Sequence, residues 1–204
     1  MGVRTEVSDR KLLRLLRRGS EDAFIALYRR HQGSVYRFAY QMSGSPYLAE
    51  EATQEVFTAL IEGNHHFDPT RGSLPTYLLG MARHMVLRSM ERNRPYVSAH
   101  EATGEGKTLS PASPEDPLAA LVRMESIRSV QQAILSLPRH YREAVVLCDL
   151  NEMTYDEAAA VLECSVGTVR SRLHRARVLL FQKLRGEESL GGASRAFEPR
   201  RCPA

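Results

Sequence analysis

Apolar residues recur every three or four positions along most of the chain, so the predicted elements are helices. A short one is expected around 11–18, closed near Gly19. Phe24, Leu27, Tyr28, Val35, Phe38 and Met42 then mark a long amphipathic helix that leaves Arg29, Arg30 and Arg37 outside. Gly44-Ser45-Pro46 ends it and starts the next, with Ser45 as N-cap and Pro46 at the first helical position. That helix keeps Leu48, Ala52, Val56 and Leu60 inside and presents Glu50, Glu51, Gln54, Glu55 and Glu62 outside. After a Gly- and Pro-punctuated loop over 63–75 comes a helix with Leu74, Tyr77, Leu78, Met81, Met85 and Ser89 inward. Its outward residues are Arg83, His84, Arg88, Arg92 and Arg94.

Gly104, Gly106, Pro111, Pro114 and Pro117, with several Ser, Thr and Ala between them, make 96–117 a flexible linker. Helical periodicity resumes with Leu118, Leu121 and Val122, then Ile127, Val130, Ile134 and Leu137, and Pro138 opens a helix running to about Leu150. The fold class is therefore all-α: two small helical domains, 1–95 and 118–186, joined by that linker. The polar, Gly-rich 187–204 is expected to be a disordered tail.

The segment 154–180 carries the sharpest signal. Thr154 stands three residues before Glu157, the spacing of a reciprocal capping box. Ala158, Ala159, Val161 and Leu162 give that helix a small apolar face. Cys164-Ser165-Val166-Gly167 breaks the pattern, and Ser165 can cap a second helix. There Val169, Leu173, Ala176, Leu180 and Leu184 form one buried stripe, while Arg170, Ser171, His174 and Arg175 fan across the other side. Between 166 and 185 the charges are Arg170, Arg172, Arg175, Arg177, Lys183 and Arg185, with no Asp or Glu. A short helix, a turn and a basic helix with a polar N-terminal end form a helix-turn-helix. Its leading residues reach base edges and its arginines meet phosphates. The bland alternative is an amphipathic hairpin with a solvated basic face. The acidic helix near Glu50 and the basic one near Arg83 likewise read either as two interfaces of opposite sign or as mutually offsetting surface charge.

Composition narrows the class. The 204 residues carry a net charge of only +4, so basicity is local rather than global. Cys148, Cys164 and Cys202 are too few and scattered for a disulfide scaffold or zinc knuckle. Without a signal peptide or an apolar run of membrane-spanning length, a cytoplasmic protein with no membrane insertion is expected. His65-His66-Phe67-Asp68 offers adjacent histidines that regular structure cannot aim at one ion, so no metal site is expected. No phosphate loop, nucleophile elbow or HExxH motif occurs, and neither catalysis nor a cofactor is expected.

The stretches AFIALYRRHQGSVYRFAYQMSGSPYLAEEATQEVFTALI and LPRHYREAVVLCDLNEMTYDEAAAVLECSVGTVRSRLHRARVLL, in that order, resemble bacterial RNA polymerase sigma factors. The closest type is the short extracytoplasmic-function class of the sigma-70 family, over 12–184. The resemblance implies a factor that binds core RNA polymerase and directs promoter recognition and transcription initiation. It implies that Glu50, Glu51, Gln54 and Glu55 dock on the clamp helices of the largest polymerase subunit, with the flap region as a further polymerase contact. It assigns the −10 element to the first domain, with Asn64, Phe67, Arg71, Arg83, His84 and Arg88 as candidate contacts. The −35 element falls to the second, with Ser165, Thr168, Arg170, Ser171, Arg172, His174, Arg175 and Arg177. An anti-sigma factor is an implied partner. His84 stands where many members carry Asn, and Arg88 where an acidic residue is common; these departures bear on −10 preference, not on family. Tyr77, at helical spacing, reads as core before it reads as a base platform. Two rival readings stay open: a stand-alone dimeric helix-turn-helix regulator, and a sigma-like decoy for an anti-sigma protein.

Overall fold

The computed structural model describes residues 7–63, 67–70, 72–92 and 117–188. Helix α1 (Asp9–Leu16) is followed by α2 (Glu21–Ser43), α3 (Pro46–Ile61) and α4 (Leu74–Arg92). Beyond the linker come α5 (Pro117–Leu135) and α6 (Arg139–Val145), which passes into a π-helical turn, Val146–Leu150. Next are α7 (Tyr155–Leu162) and α8 (Val166–Glu188). Of the linker only Pro117, and of the tail only 187–188, lie within the described residues.

Caps set most boundaries. The Ser20 hydroxyl accepts the Ala23 N–H at the start of α2, and Ser45 accepts the Leu48 N–H at the start of α3, with Pro46 at the first turn as expected. Gly44 ends α2 in the left-handed region, φ 71°, where a Cβ would be strained. Leu27, Val35, Phe38 and Met42 of α2 meet Ala52, Val56 and Leu60 of α3 and Leu78, Ala82 and Val86 of α4 in one core. Asp9 fastens α1 to this bundle through His31 Nε2 at 2.9 Å and through an ion pair with Arg30.

One expectation needs correction. In α4 the buried residues are Leu74, Thr76, Leu78, Leu79, Ala82, Val86 and Ser89. Tyr77, Met81 and Met85 are only half-buried, so the inward face is rotated from the stripe the sequence suggested. The reason is that α4 packs on two sides, against α2 and α3 and also against α7. The helix begun after Pro138 does reach Leu150, but its last turn is π-helical; such turns are favoured where a function or packing constraint displaces the ladder. The two domains meet: α2 contacts α5 and the π-helical turn, and α4 contacts α7.

Candidate nucleic-acid interface

The second domain builds its exposed basic face from the caps outward. The Thr154 hydroxyl accepts the Glu157 N–H at 3.3 Å, and Glu157 accepts the Thr154 N–H at 3.0 Å, so both halves of the capping box form. Glu163 closes α7 in the left-handed region, φ 53°, and turns the chain toward α8. Ser165 then caps α8 by accepting the Thr168 N–H at 3.2 Å, and the two hydroxyls lie 2.9 Å apart. Val169, Leu173 and Ala176 are fully buried, which fixes the rotation of α8. Arg170, Ser171, His174 and Arg175 are consequently exposed along one face.

The expected −35 residues divide into three groups. Ser165 and Thr168 are joined at the cap, and Ser171 donates its hydroxyl to the Thr168 carbonyl at 3.0 Å. Arg170 sits over the Tyr155 ring at 5.5 Å, a cation–π contact that holds the guanidinium beside the start of α7. Arg172 is half-buried with a guanidinium nitrogen 4.0 Å from Cys164 Sγ, and Arg177 is bound by Asp149. His174 and Arg175 complete the open face.

In the first domain, His84 and Arg88 are exposed on α4, and Phe67 and Tyr77 bring their rings to 5.4 Å. Phe67, Tyr77, Met81 and His84 line a groove whose other wall is Ala160, Val161 and Glu163 of the second domain. Arg83 also lines that groove, and its Nε donates to Glu143 Oε1 at 3.0 Å. Asn64 and Arg71, and the paired His65 and His66, lie outside the described residues.

The acidic helix α3 also splits. Glu50 and Gln54 are exposed on the rim of a groove whose floor holds Phe24, Tyr28 and Phe57, the last two 4.9 Å apart edge to face. Glu51 turns toward α4, accepting the Ser89 hydroxyl at 3.2 Å with Arg92 3.6 Å away, and Glu55 is half-buried. The sequence reading missed this groove because Tyr28 falls on the apolar stripe and was counted as core. The signal available was aromatic density on one flank: Phe24, Tyr28 and Tyr36 of α2 opposite Phe57 of α3. Burial, then the neighbouring Glu50 and Tyr40, push the Tyr36 phenol up. Among the described residues no three metal-ligating side chains cluster, and no helix is long and apolar enough to cross a membrane.

Comparison with known proteins gives a consistent picture. The family model for sigma-70 region 2 matches residues 27–96, and that for sigma-70, region 4, matches 127–180. The ECF RNA polymerase sigma factor SigW of Bacillus subtilis is 31% identical over 185 residues, spanning 88% of this chain and 98% of its own. The RNA polymerase sigma-H factor of Pseudomonas aeruginosa is 31% identical over 182 residues, spanning 85% of this chain and 92% of its own. Among solved structures, CnrH bound to the cytosolic domain of CnrY has a TM-score of 0.65 at 24% identity, covering 88% of this chain and 98% of that one. RpoE of Bartonella quintana, in complex with the anti-sigma factor NepR, has a TM-score of 0.61 at 23% identity, covering 79% and 96%. At those identities the two structures establish a shared fold.

Proposed function

The chain belongs to the extracytoplasmic-function class of RNA polymerase sigma factors, and on that premise we propose how promoter recognition is divided among its surfaces. The protein binds core RNA polymerase and directs it to promoters. The helix-turn-helix takes the −35 element as duplex: α8 enters the major groove, with Ser171, His174 and Arg175 toward base edges and Arg170 steadied by Tyr155 toward the backbone. The first domain takes the −10 element. Opened DNA exposes unstacked bases, and Phe67 and Tyr77 beside His84 and Arg88 supply aromatic and cationic partners for them. The groove between α2 and α3, rimmed by Glu50 and Gln54, takes the polymerase clamp helices, and a basic polymerase surface complements its sign.

The observation that carries this reading is the rotation of α8. Three fully buried residues lock the apolar side inward and leave Arg170, Ser171, His174 and Arg175 outside. Catalysis belongs to the polymerase, for which this chain supplies promoter specificity. An anti-sigma factor, of the kind seen bound to the Bartonella quintana relative, is the proposed negative regulator. Run-off transcription from a cognate promoter, with purified core polymerase and with or without the chain, tests the assignment. Chain-dependent transcripts are expected. Tight promoter binding by the chain alone, with no dependence on it for initiation, would favour a stand-alone dimeric regulator; polymerase binding without initiation would favour a decoy.

A further inference from the structure

Helix α1 is cationic along the whole of its outer side. Leu12 and Leu13 are buried, and Leu15 and Leu16 pack against the core, so the apolar side is taken up by the contact with α2. At about 100° per residue the remaining side holds Arg10, Lys11, Arg14, Arg17 and Arg18, and all five are exposed. The helix has one carboxylate, Asp9, which is engaged by His31 Nε2 at 2.9 Å and by Arg30 of α2; these contacts pin α1 with its cations outward. Among the described residues none of the five cations stands in an ion pair, and Glu21 and Asp22 in the first turn of α2 do not reach them. Helix stability does not account for this placement. Arg17 and Arg18 lie at the C-terminal end, where the macrodipole favours cations, but Arg10 and Lys11 are in the first turn, where it opposes them. Arg10 and Arg14, and Arg14 and Arg18, are each four apart, and like charges at that spacing destabilise a helix. A row of anions along this face would turn each of these repulsions into an attraction.

We propose that the outer face of α1 is a sequence-independent DNA-binding surface, which grips the phosphate backbone of a duplex with Arg10, Arg14 and Arg17 at its centre and Lys11 and Arg18 on one flank. Four of the five cations are arginines, whose planar forks match phosphate oxygens pairwise. The face has no exposed apolar or aromatic side chain, so it lacks the anchors that carry affinity between proteins. A helix that lies on a membrane needs a free apolar side, and that of α1 is buried. Phosphate contacts carry no sequence information. Helix α1 therefore adds salt-sensitive affinity for any DNA and leaves the −35 and −10 preferences to the surfaces of α8 and α4.

The test uses the full chain and a fluorescein-labelled duplex of random sequence, with affinity read by anisotropy across a salt series that starts low. Each phosphate contact contributes about −0.9 to the slope of log affinity against log salt. Arg14→Gln with Arg17→Gln should make that slope shallower by about 1.8, with helicity retained by circular dichroism because both positions are exposed. Arg14→Lys with Arg17→Lys should restore most of the slope, since lysine keeps the point charge. Arg123→Gln with Arg128→Gln removes the same charge from α5 and should leave the slope at the wild-type value. No measurable binding at the lowest salt, an unchanged slope in the α1 glutamine variant, or an equal reduction in the α5 variant would each overturn the proposal. Affinity for core polymerase should be the same in the α1 glutamine variant and wild type. A loss there with the DNA slope unchanged would give the face to an acidic protein surface instead. The probe is neither a promoter nor bound to polymerase, so failure of run-off transcription would strike the sigma assignment and leave this result standing.

Discussion

Arg177 and Asp149 grip each other through two hydrogen bonds, 2.6 Å and 3.1 Å, and so bind the middle of α8 to the π-helical turn. The family resemblance offers Arg177 as a DNA contact; we propose that this pair gives it a structural role instead. A two-point guanidinium–carboxylate pair on a partly exposed surface contributes about 1 kcal/mol at most. Arg177→Ala should therefore lower the stability of the second domain by roughly that amount, read by urea denaturation. The salt dependence of promoter binding should stay at the wild-type slope. A slope reduced by about one unit would return Arg177 to a phosphate contact.

Charge on α3 separates two roles. Glu50 and Gln54 stand on the groove rim, whereas Glu51 is tied to Ser89 and Arg92. Glu50→Lys with Gln54→Lys should weaken association with core polymerase about tenfold or more at low salt, with the deficit shrinking as salt rises. Glu51→Lys should additionally loosen α4, visible as lower thermal stability. Equal polymerase affinity in the rim variant and wild type would show that the face is merely solvated.

Much of this architecture was legible because short-range chemistry dictates it. Thr154 and Glu157, Ser45 and Pro46, and Ser165 each specify a helix start without help from the rest of the molecule. The stripe Val169, Leu173 and Ala176 likewise fixed which side of α8 faces out. What escaped was whatever depended on the other domain. Tyr77, Met81 and Met85 looked like the core stripe of α4 because they are apolar at helical spacing, yet they are half-buried and line the groove shared with α7. Arg83 looked like one more outward cation, and its partner lies 60 positions away in Glu143. Periodicity finds an apolar face but cannot say which of two neighbours covers it.

Glu163 offers a stability test within the turn of the helix-turn-helix. It occupies the left-handed region at φ 53°, and nothing in its side chain relieves the clash of Cβ with the carbonyl oxygen there. Glu163→Gly should stabilise the second domain by about 0.5–1 kcal/mol, since glycine adopts this C-cap conformation without that strain. The measurement is the shift in denaturation midpoint. An unchanged or lower midpoint would mean that the carboxylate makes compensating interactions on the rim of the groove with α4. The −35 preference should not move, because Glu163 lies outside the face of Arg170, Ser171, His174 and Arg175.

We propose that this face carries the sequence discrimination. Val169 and Leu173 are buried, so Ser171 and Arg175, four residues apart, share the opposite side of α8 near its N-terminal end. Groove docking brings that end to base edges, and a two-point arginine contact to guanine is worth about 1–3 kcal/mol of discrimination. Arg175→Ala or Ser171→Ala should change which −35 sequences the holoenzyme selects from a randomised promoter library. Arg172 is half-buried beside Cys164 and faces toward the domain's own core. Arg172→Ala should weaken transcription from all selected promoters about equally, through stability or a backbone contact, while leaving the selected motif unchanged. Tyr155→Ala should fall between the two, since it frees Arg170 to move without removing its charge. A library in which Arg172→Ala shifts the motif and Arg175→Ala does not would mean that α8 meets the groove with a different side, and the division of the recognition helix drawn from its buried stripe would fail.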